Sequence, residues 1–260
     1  MAVKQLKNLL SFLTVFPVAM DKDLLTDCAR NMWAFPLIGA FLGFLAGLFG
    51  WIALQVLPVL VVGPLVLALL LWMTGLHHTD GLLDFGDGVM VHGTTQKKIE
   101  VMHDQLTGAG AIGLALMTYI VTAFAFASLG GNQNYLGFRI PLIFPAIIVI
   151  ELCAKLSMVV AAWAGNSVHE GMNTSFLQFM HGSGGNIRLA SGLSISLVIS
   201  FLLLGLAGIF TVIGATIAGL VMVSIAHRNF GGVTGDVFGA TNELTRAVCA
   251  VVLLVVIVWV

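Results

Sequence analysis

The sequence predicts an all-α protein, a polytopic membrane bundle of about seven transmembrane helices, on three observations. Of its 260 residues 59% are apolar and only 9% charged, against roughly a quarter charged in soluble domains. Apolar runs recur that are long enough, at ~20 residues each, to cross about 30 Å of hydrocarbon. The ionisable residues collect between those runs, on segments that an odd number of spans brings to one face.

In chain order, the first twenty residues place Lys4 and Lys7 ahead of LLSFLTVFPVAM with no small-residue cleavage pattern, and read as an interfacial amphipathic segment. Phe35 to Leu57 is the first span and Pro58 to Leu76 the second. Ala109 to Leu129 is the third and Ile140 to Trp163 the fourth. Glu151 and Lys155 stand inside the fourth at i, i+4, which reads most simply as an intrahelical ion pair, with a buried catalytic carboxylate as the sharper alternative. Leu189 to Ala226 is too long for one helix and suits two, turning near Gly208 to Gly214. The final run, Ala247 to Val260, is long enough if its helix begins near Asp236. Gly39, Gly43, Gly47 and Gly50 of the first span read as a seam for close helix packing, with a substrate groove as the functional alternative. No repeat or low-complexity linker divides the chain, so residues 1–260 form one domain.

The charges orient the bundle. Seven spans place the N-terminal segment and the loops Asp21 to Ala34, His77 to Gly108, Ala164 to Arg188 and His227 to Arg246 on one face. That face carries nine of the eleven basic residues: Lys4, Lys7, Lys22, Arg30, Lys97, Lys98, Arg188, Arg228 and Arg246. Arg139 lies opposite and Lys155 within a span. By the positive-inside rule the rich face is cytoplasmic, in a cell membrane, with the C-terminus outside. Every histidine, and every acid except Glu151, shares that face. Such one-sidedness predicts a membrane enzyme with a cytoplasmic-face active site; a transporter more often buries ionisable groups near the midplane. The net charge of -1 excludes a general nucleic-acid interface, since no basic surface exists to neutralise a phosphate backbone. Cys28, Cys153 and Cys249 lie far apart and read as small apolar fillers.

Three blocks carry the chemistry. The first is HHTDGLLDFGDG, His77 to Gly88, where His77, Asp80, Asp84 and Asp87 fall on one stripe of a helix. Carboxylates stacked without a neighbouring cation repel each other, and a divalent ion with a taste for hard oxygen ligands, magnesium or manganese, relieves this. Asp80 and Asp84 are the first ligand candidates; Asp87 is either a third ligand or a base taking a proton from an attacking hydroxyl. Gly81 and Gly88 keep the backbone open to a bulky ligand, while His77 and His78 flank the site as orienting or phosphate-contacting groups. The second block is HDQLTGAGAIG, in which Asp104 precedes a glycine-rich helix start suited to a metal or phosphate; Lys97 and Lys98 before it read as an amphipathic surface helix. In the third block, GGVTGDVFGATNE, Gly235 and Asp236 stand at the mouth of a membrane helix, with Glu243 on the same face as Asp236, so two more acids approach the stripe from another span.

Together these blocks resemble the cobalamin synthase family of adenosylcobinamide-GDP ribazoletransferases. The family's G-L-H-x-D-G-L-x-D-x-x-D-G block is matched by HHTDGLLDFGDG, its K-D-x-x-x-G-x-x-G by HDQLTGAGAIG, and its G-G-x-T-G-D-x-x-G-A-x-x-E by GGVTGDVFGATNE, with similar order and chain length. The family's N-terminal arginine is absent from FLTVFPVAM, its lysine is His103 here, and AGNSVHEGMNTSF keeps Glu170 and Gly171 of a later motif without the arginine. The resemblance implies a magnesium-dependent transfer late in vitamin B12 assembly, from adenosylcobinamide-GDP to α-ribazole or its 5'-phosphate, releasing GMP. Spacing and resemblance together make Asp80, Asp84, Asp87 and Asp236 the candidates for Mg2+; Asp87, His78 and Asp104 those for catalysis; and His77, Gly81, Gly88, Gly235, Glu243 and Glu170 those for contact with substrate. The partners implied are those small molecules and the lipid bilayer, without nucleic acid; association of copies into a homo-oligomer is left open. Two rivals remain: a CDP-alcohol phosphotransferase, whose motif the first block does not follow, and a divalent-cation transporter.

Overall fold

The computed structural model describes residues 3–16, 23–131, 140–168 and 172–259, and they form a helical bundle. Two short helices lead, α1 (Val3–Leu13) and α2 (Leu24–Arg30). In α1, Leu9 and Leu13 are buried while Lys4 and Lys7 stay exposed, the amphipathic pattern expected of a surface helix. Asn8 ties it to α2 by a 2.9 Å bond to Asp27. The apolar helices follow: α3 (Phe35–Ala53), α4 (Val59–Met73), α7 (Ala109–Gly130), α8 (Ile143–Ala164), α10 (Gly185–Phe230) and α11 (Gly235–Trp259). Between them lie α5 (His77–Met90), α6 (Thr95–Met102) and α9 (Met172–His181). Among the described residues five helices are long and apolar enough to cross a membrane, six if bent α4 and α5 count as one span. This is a multi-pass membrane protein, and α7 and α10 turn Ile120, Phe124, Phe201 and Leu202 outward to the lipid.

The helix α8 is the axis of the bundle: from Pro145 to Ala162 every residue is buried. A membrane helix sheathed on all sides needs neighbours that come close, and α3 does so through its glycine seam. A Cβ on Gly39, Gly43 or Gly47 would stand 2.3, 2.6 and 2.7 Å from the carbonyl oxygens of Glu151, Ile147 and Phe144. The packing reading of that stripe is the one the structure shows.

Three expectations need correction. The second span ends at Met73, not Leu76, because Gly75 and Leu76 take left-handed backbone angles (φ 63° and 60°) and swing α5 to 97° from α4. Thus α5 lies across the end of α4 rather than continuing its crossing, and 77–102 is two helices rather than a loop. The 46-residue α10 does fold in two, but at Gly205 (φ 58°, ψ -136°) rather than Gly208 to Gly214. Run straight it would extend about 69 Å. Instead it doubles back so tightly that a Cβ on Gly208 would strike the carbonyl of Ser200; the expected seven spans are reached only when its halves are counted separately and bent α4 and α5 are also counted as a span. Finally, Glu151 does not pair with Lys155. Its carboxylate takes Arg246 of α11, 95 residues away, and Lys155 donates instead to Asn242 at 2.6 Å. Arg246 therefore leaves the surface loop assigned to it and lies fully buried in the bundle.

All three cysteines are free thiols and buried, as fillers should be.

Candidate active site

The polar face of the molecule is assembled where α5 meets the first turns of α7 and α11. The helix α5 buries Gly81, Leu82, Phe85, Gly86 and Gly88 and turns its stripe outward: His77 and Asp80 are exposed, Asp84 and Asp87 half-buried. The glycines set the distances. A Cβ on Gly81 would stand 2.8 Å from the carbonyl oxygen of Asp236, and one on Gly239 would meet the backbone of His78 at 3.1 Å. The two helices thus touch backbone to backbone, and Asp236 of one is carried beside Asp80 and Asp84 of the other. On the far side of α5, a Cβ on Gly110 would stand 2.8 Å from the carbonyl of Gly86. The glycines of the second and third blocks therefore act by allowing contact with the first.

Asp87 is engaged. Its carboxylate accepts the backbone N–H of Gly108 at 2.6 Å and of Ala111 at 2.8 Å, and so caps α7. This fixes where α7 begins relative to α5, and leaves Asp80, Asp84 and Asp236 as the acids with oxygens turned to the open face. Asp236 stands in the first turn of α11, behind Thr234, whose hydroxyl accepts the N–H of Val237 at 3.3 Å. The positive N-terminal ends of α7 and α11 thus lie beside the stripe, the first capped by Asp87 and the second by Thr234. Burial first, then the charges of Asp236, Asp80 and Asp87, push the Asp84 carboxyl up to about 7. That is the signature of acids gathered without a counter-charge. The oxygen-only donor set suits a hard divalent cation, though no three His, Cys, Asp or Glu side chains among the described residues converge on a single ion position.

The flanking residues divide. His103 reaches within 3.9 Å of the Asp236 carboxylate, whereas the Asp104 side chain accepts the N–H of Leu106 at 3.2 Å and shapes its own turn. His78 is buried, and burial, followed by the charges of Lys155, Arg246 and His77, holds its imidazole well below the ordinary range, so it is neutral. Gly88 packs under Phe230 and Gly235 has open space around it. Glu243 is not on the open face; it is fully buried and bonded to Arg246. Glu170 lies outside the described residues. Its neighbours Asn166 and Asn173 pin the GGVTGD loop, with Val233 donating to the carbonyl of Asn166 at 2.7 Å and Asn173 donating to that of Val233 at 2.8 Å.

Beneath the site runs a chain of polar contacts that the sequence did not reveal. Glu151 and Glu243 share Arg246, the side chain of Asn242 bridges Glu243 and Lys155, and Tyr119 of α7 donates to Thr79, next to Asp80, at 2.7 Å. The available signals were Glu151 and Lys155 inside an apolar span and Arg246 at the edge of another, charges that demand buried partners without naming them.

The chain is similar throughout to one group of known proteins. A sequence profile for cobalamin-5-phosphate synthase matches residues 5–254. The adenosylcobinamide-GDP ribazoletransferase of Thermococcus kodakarensis is 32% identical over 96% of this chain and 98% of its own length. That of Pyrococcus abyssi is 31% identical over 95% and 97%, and that of Methanococcoides burtonii 29% over 97% and 92%. No solved structure matches.

Proposed function

The chain belongs to the cobalamin-5-phosphate synthase family, and from that premise we propose that it is an adenosylcobinamide-GDP ribazoletransferase acting late in vitamin B12 assembly. The structural observation that carries the reading is the crossing at Gly81 and Gly239, which brings Asp80, Asp84 and Asp236 to one open face between two helix N-termini. Such a face is built for a phosphorylated substrate together with a cation.

In the proposed reaction a hydroxyl of α-ribazole, or of its 5'-phosphate, attacks the phosphorus on the cobinamide side of the pyrophosphate. A new P–O bond forms, the bond to the GMP phosphate breaks, and GMP departs with the electron pair. The hydroxyl proton passes to a carboxylate of the open face or to water. Asp80, Asp84 and Asp236 would hold Mg2+, which supplies neutralisation of the pyrophosphate charge. The N–H groups at the start of α11 and the His103 imidazole would orient phosphate oxygens. Asp87 acts at one remove, by locking α7 against α5. We read this face as cytoplasmic: Arg246 moves to the core, but the excess of basic residues that the sequence assigns to this side remains and supports that orientation by the positive-inside rule.

The test is direct. Purified protein with Mg2+, adenosylcobinamide-GDP and α-ribazole should yield cobalamin and GMP on chromatography; no product, with turnover instead of CDP-activated lipid alcohols, would overturn the reading.

A further inference from the structure

A cavity of about 530 Å3 opens beside the carboxylate face, between α1, α2, α9 and the crossing of α5 with α11. Its wall is largely apolar. Phe12, Phe35, Phe176 and Phe238 come to it from four different helices, with ring centroids 5.4 Å apart for Phe12 and Phe176 and 6.5 Å for Phe176 and Phe238. Asp236 belongs to both the cavity and the carboxylate face, so whatever fills the one reaches the other.

The polar groups on the wall are few, and one of them is unengaged. The amide nitrogen of Asn173 already donates to Ser167 and Val233. The Nδ1 atom of His78 is buried and has no hydrogen-bond partner among the described residues, a costly arrangement unless a ligand completes it. The cavity therefore asks for a flat, mostly apolar group that offers one hydrogen-bonding atom.

Of the groups in the proposed reaction, three fail this requirement. The corrin is far too bulky. Guanine presents several donors and acceptors that a phenylalanine wall leaves unpaired, and phosphates need charge. The base of ribazole, a dimethyl-substituted benzimidazole, is a fused apolar bicycle with one unsubstituted ring nitrogen. Resting on the function proposed above, we propose that this cavity is the subsite for the ribazole base, which packs among Phe12, Phe176 and Phe238 and accepts a hydrogen bond from His78 Nδ1. The ribose then lies toward Asp236, where its hydroxyl meets the phosphoryl group.

The experiment uses the full chain in detergent. Free 5,6-dimethylbenzimidazole should compete with α-ribazole and not with adenosylcobinamide-GDP, and benzimidazole, without the two methyl groups, should bind about tenfold less tightly. Phe12→Trp, which fills the cavity from a peripheral helix, should raise KM for α-ribazole about tenfold while kcat and KM for the GDP substrate stay within about twofold. His78→Phe should also raise KM for α-ribazole, and His78→Gln, which keeps an N–H donor, should recover part of that loss in KM. Competition against the GDP substrate, displacement by guanosine, or an unchanged ribazole KM in Phe12→Trp would overturn the inference while wild-type turnover stands. Absence of wild-type turnover would instead strike the proposed function. In that event equilibrium dialysis of dimethylbenzimidazole decides for the cavity alone: binding that Phe12→Trp abolishes supports it, and no binding overturns it.

Discussion

Asp80, Asp84 and Asp87 share a stripe and a spacing, yet their surroundings assign them different work. Asp80→Asn and Asp84→Asn each remove an open-face oxygen charge, and turnover should fall roughly a hundredfold or more with expression unchanged, by analogy with the losses that follow damage to a metal site; near-normal rates in either variant would remove that residue from the site. Asp87→Ala instead uncaps α7. It should lower thermal stability in detergent by about 1–2 kcal/mol, and a variant as stable as wild type would contradict the capping role. Spacing made all three visible in the sequence, but two backbone N–H groups on another helix made Asp87 different, and no periodicity encodes those. The same limit applies to Glu151. Lys155 is its neighbour at i, i+4, whereas its partner Arg246 is fixed by how α11 lies along α8. Arg246→Met strands two buried carboxylates and should cost about 3–5 kcal/mol, read as loss of folded protein on size-exclusion chromatography. Combining it with Glu151→Gln and Glu243→Gln should restore part of that yield, which a purely steric role for Arg246 would not allow.

At the level of elements, the site depends on two helices meeting without side chains between them. Gly81→Ala would bring a methyl group to 2.8 Å from the Asp236 carbonyl and 2.9 Å from its Cα, and neither is the yielding end of a flexible chain. The helices must part by some tenths of an ångström. Misplacement on the scale of 1 Å costs about a hundredfold in rate, so kcat should drop at least tenfold, with a much smaller change in thermal midpoint; an alanine variant with wild-type kcat would show that the close crossing is dispensable. In the sequence Gly81 reads as an opening for a ligand; the structure shows it as a point of contact between helices. That contact follows from a second helix that only the fold supplies. The sharp turn at Leu76 was equally hidden, since leucine is seldom found with positive φ, although Gly75 just before it is the kind of residue at which a helix ends.

Across the whole molecule, composition determined the class: a chain this apolar had to be a membrane bundle, and the one-sided distribution of charge predicted a single polar face, where α5, α7 and α11 meet. The fold supplied the order of layers, with α8 sheathed at the centre. A cation-dependent reaction on the open face predicts that a chelator stops turnover and that added Mg2+ restores it, whereas undiminished rates in excess chelator would leave the acids without that role. The burial of Cys28, Cys153 and Cys249 has a practical consequence for the orientation of this face. To a water-soluble maleimide the native protein should be nearly silent, so a single cysteine placed at exposed Gln96 of α6 would report its own compartment against an almost blank background: the proposed orientation expects protection in intact cells and modification once they are opened, and labelling of intact cells would overturn it.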